Sequence, residues 1–292
     1  MKKVVFIGAG VAIVTPFAAD GSVNYTKLGE LIDHQIENGT DAIVASGTTG
    51  EASTLNDEEH IGVIEFSVKH TAGRVPVIGG TGSNDTRHAV KLTREAARVG
   101  ADAILCVTPY YNKTSQNGLI RHYNMVADST DLPMILYNVP ARTGMNITPA
   151  TYAELSKHPN IVATKEANGD IASVAMTRDL CGDQLHIYSG NDDFIVPALS
   201  LGGKGVISVM SNILPKQTRD IIALWNEGKI EESAALQIKY MSLIKLLFAD
   251  VSPAPVKEAL NFMGKDVGQC RMPLTGVSDD LSAKLKTAIE KL

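Results

Sequence analysis

The sequence predicts a (β/α)8 TIM barrel, an α/β fold, followed by a C-terminal helical extension, and three observations carry that prediction. Eight short runs rich in Val, Ile, Ala and Leu recur along the chain. Their residues do not alternate with polar ones, which is the pattern of parallel strands buried on both faces. Amphipathic stretches separate them, as each parallel crossover requires a helix. An open doubly wound sheet is the structural competitor for the same pattern.

The first run covers 11–15, and 25–38 follows it with Leu28, Leu31, Ile32 and Ile36 at helical spacing and Asn38-Gly39 as a stop. The next strands are 42–46 and 75–79, with helix 57–71 between them, and helix 85–99 ends at Gly100. Strands 103–108, 134–138, 161–165, 186–189 and 205–209 complete the set. Helical patterns at 115–129, 149–157, 171–180 and 193–201 fill the gaps. The pattern then changes: 215–227, 230–248, 253–263 and 278–292 read as helices with no strand between them. The first closes the barrel. We therefore expect a barrel over 1–228 and an extension over 229–292 packed on it, since no low-complexity linker intervenes.

Composition narrows the function classes. With 44% hydrophobic and 20% charged residues, the 292-residue chain has ordinary globular usage and enough length to bury a core without staples. A formal charge of −5 without Lys/Arg clusters argues against nucleic acid. Cys106, Cys181 and Cys270 are scattered and suit free thiols in a reducing compartment. The N-terminal apolar run is too short for a signal peptide, and nothing approaches the ~18 apolar residues of a membrane span. The expected setting is cytoplasmic.

In such a barrel the chemistry sits at the C-terminal ends of the strands. Lys165 ends an apolar strand, so desolvation should depress its pKa and leave an amine able to attack a carbonyl. The alternative is a lysine paired with Glu166. Tyr137, Tyr111 and Thr48 end other strands and can relay the protons that imine chemistry moves; each can equally be a rim residue with a satisfied hydroxyl. Gly47-Thr48-Thr49-Gly50 can aim N–H groups and hydroxyls at a carboxylate, or be a plain turn. Arg142 can grip a second carboxylate, or be a surface arginine.

Two patterns are decoys. Gly8-Ala9-Gly10 suggests a dinucleotide fingerprint, but Ile13 holds the third Gly position and Thr15-Pro16 stands where the helix should run. The seven histidines show no H-x-H or H-E-x-x-H spacing, so no metal ligands are visible.

Taken together, Gly47-Thr48-Thr49-Gly50-Glu51, Tyr137-Asn138-Val139-Pro140, Arg142-Thr143-Gly144 and Lys165-Glu166 resemble the motifs of the pyruvate-dependent Schiff-base (class I) aldolases, the N-acetylneuraminate lyase superfamily. Within it the likeness is to the dihydrodipicolinate synthase family, over nearly the whole chain. The resemblance implies a lyase in which pyruvate condenses with Lys165 and the enamine adds to aspartate 4-semialdehyde. The product would be 4-hydroxy-tetrahydrodipicolinate, on the diaminopimelate route to lysine, with the imine in place of any cofactor. It implies Tyr137 as general acid/base with Thr48 and Tyr111 as a relay, Tyr111 reaching a neighbouring subunit's site. It implies Thr49 on the pyruvate carboxylate, Gly190 and Ile207 lining the pocket, Arg142 on the semialdehyde carboxylate, and a homotetramer built as a dimer of dimers. An uncharged residue typically replaces Arg142 in N-acetylneuraminate lyases, so Arg142 favours the synthase over a sugar-acid aldolase.

Lysine-sensitive members use positions matching Ala52, Ser53, Asp57, His60, Asn84, His88 and Tyr110. His60, Asn84 and Tyr110 fit that pattern. His88 replaces an acid and Asp57 a histidine, which removes the charge partner of a cation, so inhibition by lysine is expected to be weak or absent. A non-catalytic keto-acid-binding barrel would be expected to lose Lys165 or Tyr137 first. An oxidoreductase would need a phosphate-gripping turn after strands seven and eight, whereas the glycines of 202–205 precede strand eight.

Overall fold

The computed structural model describes residues 2–292. Eight parallel strands close a barrel in chain order, β1 pairing with β8. They are β1 (Gly8–Ala12), β2 (Ala42–Ala45), β3 (Val77–Gly80), β4 (Ala103–Val107), β5 (Met134–Asn138), β6 (Ile161–Glu166), β7 (His186–Ser189) and β8 (Gly205–Ser208). Nearly every strand residue is buried, because helices cover the outside and side chains fill the inside.

The crossovers carry α1 (Tyr25–Glu37), α2 (Asp57–Thr71), α3 (Thr86–Arg98), α4 (Gln116–Ala127), α5 (Pro140–Thr143), α6 (Pro149–Leu155), α7 (Ile171–Cys181), α8 (Ile195–Ser200) and α9 (Pro215–Asn226). Their starts follow local chemistry. Asn56 and Glu59 form a reciprocal capping box at α2, and Asp85, Ser115, Thr148 and Asp170 each cap the next helix with a side-chain oxygen. α10 (Ile230–Leu247), α11 (Ala254–Phe262) and α12 (Asp279–Ile289) form the extension. Tyr240, Leu243, Leu247, Val256, Leu260 and Leu285 bury into the same apolar cluster as Ile13 and Val209 of the barrel.

β1 begins at Gly8, three residues before the expected run, and ends at Ala12. Glycine lowers strand propensity, yet here it is required by the seam. Gly8 lies opposite Gly205 of β8, and a Cβ on Gly205 would stand 1.8 Å from the Gly8 carbonyl oxygen. Gly8-Ala9-Gly10 is therefore strand, not a phosphate-binding turn. The short helix α5 begins at Pro140 without any sequence period long enough to announce it.

Strand β6 carries an irregularity that matters for the site. Met134 pairs with Ile161 and Ile135 with Ala163, so Val162 is one residue extra in the ladder. Beyond it the pairs are Leu136 with Thr164, Tyr137 with Lys165 and Asn138 with Glu166. Ile135 and Tyr137 belong to the inner cluster with Val44, Ile78, Tyr188 and Ile207, while Leu136 belongs to the outer one. Lys165 thus faces the barrel interior and Glu166 the helical layer.

Candidate active site

Lys165 is 4% exposed at the C-terminal end of β6. Its Nζ lies 4.3 Å from the centroid of the Tyr137 ring, across the β5–β6 ladder. Burial pushes the ammonium down to about 8; the Asp192 carboxylate opposes that shift and Arg142 adds to it. The expected alternative, a pair with Glu166, is not what the structure holds, since the two side chains leave opposite faces of the strand. Glu166 is occupied by Asn138, Tyr152 and the Asn168 N–H. The amine is therefore buried without a carboxylate on it.

The Tyr137 phenol is also buried and is pushed up to about 12 by burial, with Arg142 and a hydrogen bond to Thr48 pulling it back. It is a hydroxyl that holds its proton at neutral pH, next to an amine that readily loses one. Thr48 and Thr49 sit in the turn after β2, between Ser46 and Glu51, both of which have positive φ (53° and 55°). Thr49 is buried, and the Thr15 hydroxyl donates to the Gly50 carbonyl at 2.6 Å, fixing the turn from below.

Gly190, at the end of β7, donates its N–H to the Glu166 carbonyl at 2.7 Å. A Cβ there would stand 3.1 Å from Lys165 Cγ and 2.8 Å from Ala167 Cβ, so the lysine stem needs glycine beside it. Ile207 is fully buried in the inner cluster below the site. Arg142, on α5, donates from Nη2 to the Ser252 carbonyl at 3.1 Å and lines a cavity of about 320 Å³ with Thr48 and Tyr137.

Sequence reasoning did not assign Asp192 a role. It is 1% exposed and accepts the Val209 and Met210 N–H groups on Oδ2 at 3.1 and 2.8 Å; burial raises its carboxyl, and the Ser208 hydroxyl beside it opposes that shift. Its signal was available: a carboxylate three residues past the end of a barrel strand. Its negative charge favours a cation at Lys165, the charge an iminium would carry.

Tyr111 is not brought to Lys165. It is 92% exposed in the loop after β4, with φ of 69°. Of the candidate effector positions, Ser53, His60 and Tyr110 line the same cavity together with Asp57 and His88, while Asn84, whose carbonyl accepts from Asn112, is not on its wall. His60 is tied to the Gly80 carbonyl at 2.6 Å. Asp57 is held by Lys91 at 2.6 Å and His88 at 2.9 Å, and these contacts bring its carboxyl down to about 2. Among the described residues no three His, Cys, Asp or Glu side chains gather as a metal-binding group, and no helix is long and apolar enough to cross a membrane.

Comparison with known proteins agrees with this geometry. The dihydrodipicolinate synthetase family model matches residues 5–292. The chain is 56% identical over 289 residues to the 4-hydroxy-tetrahydrodipicolinate synthase of Lachnoclostridium phytofermentans, covering 99% of this chain and 98% of that one. It is 54% identical over 290 residues to the enzyme of the same name from Acetivibrio thermocellus, again covering 99% and 98%. The crystal structure of the chloride-inhibited dihydrodipicolinate synthase of Acinetobacter baumannii, complexed with pyruvate, superimposes with a TM-score of 0.95 at 42% identity, covering 97% of this chain and 98% of that one. The chain belongs to the dihydrodipicolinate synthetase family.

Proposed function

We propose, from that membership, that Lys165 is the Schiff-base residue of a lyase that condenses pyruvate with aspartate 4-semialdehyde to give 4-hydroxy-tetrahydrodipicolinate for lysine biosynthesis. The observation that carries the assignment of Lys165 is its burial beside Tyr137 with no carboxylate on its Nζ. A neutral amine attacks the pyruvate C2 carbonyl, and loss of water from the carbinolamine gives an iminium. Loss of a C3 proton gives the enamine, whose C3 adds to the aldehyde. The substrate's own amino group then attacks the imine carbon and expels Lys165, closing the ring, with one water lost overall. Each step moves a proton near the imine. Tyr137 is the hydroxyl placed to move it, with Thr48 as its hydrogen-bonding neighbour.

In this reading Thr49 and the turn around it receive the pyruvate carboxylate, and Gly190 and Ile207 shape the pocket floor. Arg142, at the cavity wall, receives the carboxylate of the semialdehyde. The covalent imine with substrate serves where other lyases use a cofactor. Tyr111 is too exposed to act within its own subunit, which suits a relay completed in a neighbour's site of a tetramer. Tetramers mixed from Tyr111→Phe and Arg142→Ala subunits would then regain activity that neither variant shows alone. Lysine inhibits weakly or not at all, because Asp57 is already engaged by His88 and Lys91; strong inhibition well below millimolar lysine would contradict this.

The deciding experiment incubates the protein with pyruvate, reduces with borohydride and maps the adduct by peptide mass spectrometry. A label on Lys165, lost in Lys165→Met, is the expected result. A folded protein that takes no label with pyruvate in excess would remove the proposal.

A further inference from the structure

Behind the reactive pair, on the outer face of the same two strands, lies a buried polar cluster that the chemistry above does not use. Glu166 is 5% exposed. Asn138 Nδ2 donates to both of its oxygens, at 3.0 and 3.1 Å. The Tyr152 hydroxyl, from α6, donates to Oε2 at 2.8 Å, and the Asn168 N–H donates to Oε1 at 2.9 Å. Every one of these partners is a donor, so the site is built for an acceptor-only group.

The cluster extends in both directions. Asn138 donates onward to Asn146 Oδ1 at 2.8 Å and accepts the Ile147 N–H at 3.1 Å. Tyr152 accepts the Thr164 hydroxyl at 3.0 Å. Two backbone bonds run through the same residues: the Ala167 N–H to the Asn138 carbonyl at 2.9 Å, and the Gly190 N–H to the Glu166 carbonyl at 2.7 Å.

Register gives this cluster its meaning. Tyr137 pairs with Lys165 inward, and the next pair along, Asn138 with Glu166, points outward. The outer pair is joined by side-chain hydrogen bonds; the inner pair is held only by its backbones and by the contact of Nζ with the ring. Because neighbouring residues share a backbone, fixing the outer pair fixes the spacing of the inner one. The Val162 bulge just upstream loosens the ladder where that spacing would otherwise be set.

We infer that Glu166 is a positioning residue: its carboxylate locks the end of β5 to the end of β6 in the one arrangement that sets the Tyr137 hydroxyl against the Lys165 imine. It therefore serves the proton transfers and not the binding of pyruvate. The inference rests on the roles of Lys165 and Tyr137 proposed above. A displacement of order 1 Å between reacting groups is enough to slow a step roughly 100-fold.

The test reads three quantities on the full-length protein: borohydride trapping of pyruvate, exchange of pyruvate methyl protons with D2O by NMR, and steady-state kcat and KM. Glu166→Ala should trap pyruvate on Lys165 and keep its KM within about threefold, while proton exchange and kcat fall roughly 10- to 100-fold. Glu166→Gln should keep kcat within about fivefold, because the Tyr152 hydroxyl can turn to donate to Thr164 and accept from the new amide. If Glu166→Ala does not fold, Asn138→Ala cuts the same clamp from the β5 side and should show the same split. A folded Ala variant with undiminished exchange and kcat, or with a raised KM and intact kcat, overturns the inference. A wild type that fails to trap pyruvate would instead remove the Schiff-base reading beneath it.

Discussion

Lys165 and Lys257 are both buried lysines whose ammonium burial disfavours, and each stands about one ring-contact above an aromatic face, Tyr137 at 4.3 Å and Phe17 at 4.2 Å. Their surroundings differ in one respect. Lys257, in α11, donates to Glu51 Oε1 at 2.7 Å and to the Gln269 carbonyl at 3.1 Å, with the Glu51 side chain fully buried. Lys165 has no carboxylate on it. With a partner, a buried lysine becomes a staple, here joining the extension to the turn after β2. Without one its neutral form comes within reach at physiological pH, the form the proposed imine chemistry needs.

Methionine at each position tells the two lysines apart. Lys257→Met should destabilise the protein by about 3–5 kcal/mol, since it strands the Glu51 carboxylate in the interior. The Glu51→Gln/Lys257→Met double variant should recover much of that loss, read as the shift in urea midpoint. If Lys257→Met unfolds at the wild-type midpoint, the pair is no staple.

The second test concerns availability of the amine. Because the Lys165 pKa lies at about 8, below its ordinary value, the neutral fraction grows as pH rises through 8 and falls tenfold per unit well below it. The initial rate of pyruvate trapping should drop about 50-fold between pH 8 and pH 6. A flat profile over that range would mean that the resting amine is not what limits imine formation.

The smallest effect sharpens the contrast by its sign. Lys165→Met should stabilise the protein at neutral pH by about 1–2 kcal/mol. The charge it removes is disfavoured by burial, although Asp192 loses a favourable neighbour in the exchange. A folded-state pKa below the unfolded one means that the unfolded chain binds more protons between pH 8 and 10.5. Wild-type stability therefore rises with pH across that window, and the variant's advantage should shrink there. Equal melting temperatures at pH 7 would show that Lys165 is no burden to the fold.

Much of this was legible beforehand, and the reasons are specific. β5 and β7 match their expected bounds because apolar runs and turn residues frame them. Lys165, Tyr137 and Thr48 were singled out because barrel strand ends carry chemistry. β1 was misplaced because glycines at a seam look unlike strand. Asp192 was passed over although it closely follows a strand end, because its burial and its charge felt at Lys165 belong to the closed barrel. The Glu51–Lys257 bond joins residues 206 positions apart, so only the closed fold brings them together. Tyr111 was expected in a relay, yet it is exposed in the loop after β4; a strand-end position in the sequence does not say which way the loop beyond it carries a side chain.

The bulge at Val162 sets the phase of everything after it on β6. Side chains in a strand alternate faces, so a ladder running regularly through Val162 would exchange inside for outside beyond it. Such a pairing would leave Lys-Glu, Tyr-Asn and every other recognisable motif in the text of the sequence. It would also set Lys165 opposite Asn138, on the outer face, and present Glu166 to the cavity. Whether an amine or an acid stands at the centre of this barrel thus turns on one local kink in the ladder, at a position whose own side chain does no chemistry.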